Sequence, residues 1–138
     1  MDFKPTTHAA MRGEVLVLTV KGLLRGMPGI TEVRSQVIRE IDDHPAARAV
    51  VIDLLKAIPA ISLSDWMAFK ASGPSVPIRP TLPIALVVSP DFIGYGCEYT
   101  VAMAEHDLRR FFFISPADAF SWAAARLERL PHLSGALQ

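Results

Sequence analysis

Residues 14–20, EVLVLTV, are β-branched and leucine-rich, and the preceding FKPTTHAAM faces them across a tight turn at Arg12 and Gly13, so the chain is expected to open with a β-hairpin. From Gly29 the period changes. Ile30, Val33, Val37, Ile38 and Ile41 recur at spacings of three and four, with Glu32, Arg34, Arg39 and Glu40 between them, which predicts an amphipathic helix lying on a sheet. Pro45 disfavours helical backbone at His44 and ends it. The segment ARAVVIDLL then runs too continuously apolar to have a wet face, so Val50, Val51 and Ile52 are predicted at the centre of a sheet.

Beyond Asp53 and a turn at Pro59, SLSDWMAFKA reads as a short helix ended by Gly73. Ser62 stands at its N-cap and Asp65 three residues on, the acidic relative of a capping box. Prolines at 74, 77, 80 and 83 mark a stiff, extended connector. IALVVS is a further buried strand, Phe92 to Leu108 a long helix with Cys97, Val101, Ala104 and Leu108 on one stripe, and FFFI a last short strand. In SPADAFSW, Ser115 caps a final helix, Pro116 sits where a missing N–H costs nothing, and Asp118 complements the helix dipole. Right-handed crossovers between these units give an α/β fold: a single-layer mixed sheet of about five strands, hairpin first and parallel strands after, covered by about four helices. One domain is expected over residues 1–130, with 131–138 a frayed tail.

Composition narrows the function. With 51% apolar residues, 138 positions fill one core without metals or disulfides. Fourteen basic residues balance fourteen acidic ones and no basic run tracks a phosphate backbone, so nucleic acid is not an expected partner. Cys97 is the only cysteine and the four histidines show no ligand spacing, so neither a metal nor a cofactor is expected. The N-terminal apolar run is too short and too early interrupted for a secretory leader, and LPIALVVSPDFIGYG breaks well before a bilayer's thickness. A cytoplasmic location without a transmembrane segment is the expectation.

The order of elements, together with VVIDLLKAIPAIS and FFFISPADAFSWAA, resembles the SpoIIAA-like STAS domain superfamily over nearly the whole chain. The segment VVIDLLKAIPAIS is similar to that family's strand, aspartate and serine loop, and FFFISPADAFSWAA is similar to its closing strand and helix. In the family's anti-sigma factor antagonists a partner kinase phosphorylates a serine at the start of the helix after the central strand, within an Asp-Ser-Ser-Gly type sequence. Ser62 falls at the matching place, with Ile61, Leu63 and Ser64 at the positions of the aspartate, second serine and glycine. The resemblance implies a regulatory module working through protein contacts; the broader SpoIIAA-like branch keeps an apolar ligand or lipid in view.

Individual residues carry two readings each. Ser62 and Ser64 are candidate phosphoacceptors, because phosphate at a helix start meets free N–H groups; the alternative is that Ser62 is simply a cap. Asp53 ends a parallel strand, where open α/β sheets hold ligands, or bonds the backbone of its own loop. Asp53, Asp65 and Trp66, with Tyr95, Tyr99 and Met103 four residues apart on the long helix, are the candidate surface for a protein partner, a second copy or a ligand. GYG before Cys97 lacks the third glycine of a dinucleotide loop, and no G-x-S-x-G elbow anchors a hydrolase. A non-catalytic interaction module is therefore the first expectation, a carrier of an apolar small molecule the second, and a small hydrolase the third.

Overall fold

The computed structural model describes residues 4–71, 82–90 and 110–136. The hairpin forms as expected: β1 (Thr6–Arg12) pairs antiparallel with β2 (Val15–Arg25), and Gly13 turns the chain at φ +64°. Helix α1 (Gly26–Asp43) follows and buries Gly29, Val33, Val37 and Ile41, one residue per turn, on the sheet. β3 (Ala49–Ala60), α2 (Leu63–Ala71), β4 (Ile84–Val87), β5 (Arg110–Phe113) and α3 (Pro116–Ala136) complete the described elements.

The five strands lie in sequence order, β1-β2-β3-β4-β5, with every pair after the hairpin parallel. β3 is central. Its alternating side chains feed two cores: Val50 and Ile52 pack with Leu16, Leu18 and Val20 under α1, while Ala49 and Val51 pack with Ala85, Val87, Ala119 and Ala123 under α3. This two-sided burial is what the unbroken apolar run demanded. The helix expected over Phe92 to Leu108, with Cys97 and the GYG stretch, lies outside the described residues.

Two strands run further than the hydrophobic pattern suggests. β4 stops at Val87, opposite Asp53, yet β3 continues to Ala60 and stays paired with β2 as far as Arg25. Between the pairs Thr19–Asp53 and Lys21–Lys56, β3 spends one residue more than β2, a β-bulge that bends the ribbon. Pro59, expected in a turn, instead lies in the strand opposite Leu24, where among the described residues β3 pairs only with β2 and has become an edge strand, the setting in which a strand tolerates proline. The helix also starts earlier than its periodicity implies. Gly26 takes φ +59° to turn strand into helix, and Pro28 sits in the first turn, where its N–H is not needed.

The chain start is tied down by polar bonds: Thr7 Oγ1 donates to Gln36 Oε1 at 2.7 Å, and Gln36 Nε2 donates to the Pro5 carbonyl at 2.8 Å. Gly22 permits this approach. It holds φ +114°, and a β-carbon there would stand 2.9 Å from the Lys4 carbonyl oxygen. Gly22→Ala is expected to cost about 2 kcal/mol from backbone strain, read as a lower denaturation midpoint at unchanged slope. Val51, 2% exposed, tests the central strand: Val51→Asp buries an unpaired carboxylate and is expected to cost about 4 kcal/mol or more, abolishing the cooperative thermal transition.

Candidate functional site

The overhanging end of β3 delivers the chain to Ser62, and there the spacing S-x-x-D does what it predicts. Ser62 Oγ accepts the Asp65 N–H at 3.0 Å, and Asp65 Oδ2 accepts the Ser62 N–H at 3.1 Å. Two helix-terminal donors are satisfied reciprocally. The Ser62 carbonyl accepts the Trp66 N–H at 3.0 Å, closing the first turn of α2. Ser62 and Ser64 are both exposed, so their hydroxyls are open to a modifying enzyme.

Asp53 is half-buried and makes the local bond its position allows: its Oδ1 accepts the Leu55 N–H at 2.9 Å, at the bulge. The carboxylate thus shapes the bend that aims β3 toward Ser62. Trp66, which its aromatic character assigns to a contact surface, is 5% exposed and belongs to the interior. The reason is angular. Leu63 and Met67, four residues apart, share the outer side of α2, whereas Trp66 and Phe69 share the inner one, their rings 5.8 Å apart. The Arg34 guanidinium of α1 lies 5.1 Å from the Phe69 ring centre, joining the two helices. Tyr95, Tyr99 and Met103 lie outside the described residues.

What the structure adds to the site is apolar. Leu55 (43% exposed), Ile58 (63%), Leu63 (57%) and Met67 (55%) flank Ser62 along the chain, on the β3 overhang and on the outer side of α2. Single exposed apolar residues are ordinary; here four fall within thirteen positions of sequence around an exposed serine. Sequence reasoning missed Ile58 because it ended the strand at Leu55, and it singled out neither Leu55 nor Leu63. The unusual run KAIPAI, apolar yet without a polar partner face, was the available signal.

Among the described residues no group of three or more His, Cys, Asp or Glu side chains could hold a metal ion. No described helix is long and apolar enough to cross a membrane.

No protein-family model and no curated protein matches the chain. Solved structures do. The crystal structure of an anti-sigma factor antagonist from Mycobacterium paratuberculosis superposes with a TM-score of 0.53 at 14% identity, covering 87% of this chain and 94% of that one. An uncharacterised protein of the DUF3478 family with a SpoIIAA-like fold, from Shewanella loihica, gives a TM-score of 0.47 at 14% identity over 89% of this chain and 96% of that one. The first match shows the fold: a five-stranded mixed sheet with an N-terminal hairpin, flanked by helices, like that of the anti-sigma factor antagonist.

The capping geometry makes a testable distinction between the two serines. Ser62→Ala is expected to lower unfolding free energy by about 1 kcal/mol in urea titrations. Ser64→Ala, whose hydroxyl takes no part in the cap, is expected to change it by less than about 0.5 kcal/mol.

Proposed function

We propose that this chain is a non-catalytic regulatory module of the STAS type that works in the cytoplasm by docking a protein partner on the start of α2 and the overhang of β3, with Ser62 as the position at which phosphorylation controls docking. The observation that carries this reading is the placement of Leu55, Ile58, Leu63 and Met67 around an exposed, helix-capping serine on the fold of an anti-sigma factor antagonist. Exposed apolar side chains supply the area a partner needs to bury, and a charge set among them penalises the same contact by desolvation. The sheet's parallel strands end on this side, where open α/β folds place their recognition loops.

The test uses the chain as bait in extract of its native cells, with variants that alter only the surface. Ile58→Glu and Leu63→Glu are expected to weaken capture of the partner at least about tenfold, as truncated anchor residues do, with melting temperature close to that of the unmodified chain. Mass spectrometry of the protein from those cells is expected to find phosphate on Ser62. Equal capture by all variants removes the docking surface; a chain that never carries phosphate removes the control by Ser62.

A further inference from the structure

Asp65 serves more than its own helix. Its Oδ2, which accepts the Ser62 N–H at 3.1 Å, also stands 3.6 Å from the place a β-carbon on Gly26 would occupy, at the first residue of α1. That helix start has no device of its own. Its N-cap, Arg25, makes no side-chain cap bond, and its first turn contains no acidic residue. Helix N-termini concentrate partial positive charge in their first turn, and the Asp65 carboxylate, bonded at the start of α2, also stands beside the first residue of α1. A second contact, Arg34 over Phe69, then holds the same two helices together farther along.

We infer that Asp65 turns Ser62 into a release catch: a phosphate on Ser62 expels the Asp65 carboxylate from between the two helix starts, opens the reciprocal cap and loosens α2 from α1. This rests on the reading of Ser62 as the modified residue. In the modification Ser62 Oγ forms a bond to the γ-phosphorus of a nucleoside triphosphate held by a kinase. The bridging bond to the nucleoside diphosphate breaks, and the hydroxyl proton passes to the kinase's base. The product brings up to two negative charges and three acceptor oxygens to the spot where one carboxylate now sits.

Two anions then compete for one set of N–H donors. The phosphate carries the larger charge and is anchored on Ser62 itself, so the Asp65 side chain is the one that leaves. The Ser62 N–H, whose acceptor is Asp65 Oδ2, loses its partner. A neutral side chain at 65 would not be driven out. Asparagine or serine there can still cap without like-charge repulsion, so the coupling depends on the charge of Asp65 and not on the cap alone.

The experiment installs phosphoserine at position 62 by genetic encoding in the full chain and in Asp65→Asn and Asp65→Ser, and follows amide hydrogen exchange by NMR. In the otherwise unmodified chain the phosphate is expected to speed exchange of the Ser62 amide and of α2 by about tenfold, and in either neutral variant by less than about twofold. Equal acceleration in all three backgrounds, or none in the chain that keeps Asp65, overturns the inference. Because the phosphate is installed directly, this result is independent of whether native cells modify Ser62 and of whether a partner docks there. If Asp65→Asn fails to fold, Asp65→Ser supplies the same comparison.

Discussion

Over Ala49–Ile52, β3 is hydrogen-bonded on both edges and covered on both faces, and the remainder of the molecule is arranged around satisfying that one segment. Its backbone donors need a strand on each edge, and because both neighbours run parallel the connections to them are crossovers. Its side chains need apolar cover above and below, which sets α1 on one face and α3 on the other. The hairpin supplies β2 already aligned, through a register fixed by Gly13.

The site follows from a mismatch in that arrangement. β4 ends at Val87 while β2 and β3 continue together, so the C-terminal half of β3 leaves the protected sheet as a two-stranded ribbon. The bulge held by Asp53 bends it, and the ribbon ends beside the starts of both α1 and α2. Local hydrogen bonds at Ser62 and the packing of two helices are thereby joined through one acidic side chain. The chemistry is concentrated where the sheet's rigidity runs out, which is the usual place for adaptable recognition.

Much of this is legible in the sequence where a single local rule decides the outcome. The continuous run AVVI admits no exposed face, S-x-x-D and S-P-A-D place two helix starts, and Arg12-Gly13 places a turn; each is found where its chemistry puts it, including the Asp118 N–H donating to Ser115 Oγ at 3.3 Å. The failures occur where neighbours decide. Pro59 reads as a break until one knows that β3 has lost its β4 neighbour. Trp66 reads as surface because α2 has large apolar side chains around most of its circumference, so no stripe selects an inner side. The contact of Asp65 with Gly26 joins positions thirty-nine apart and has no local signature.

The overhang of β3 also bears on how the protein survives its own concentration. Among the described residues β3 has no strand beyond Asp53 on its β4 side, and an edge of that kind with side chains as apolar as Leu55 and Ile58 is a template on which other chains can add strands and grow into aggregates. Pro59 removes one donor from that edge, and Lys56, exposed in the same ribbon, sets a charge in the path of an incoming strand. Side-chain docking survives both obstacles, whereas backbone zippering does not. A surface proposed here to hold one partner is in this way kept from being adhesive to every extended chain it meets.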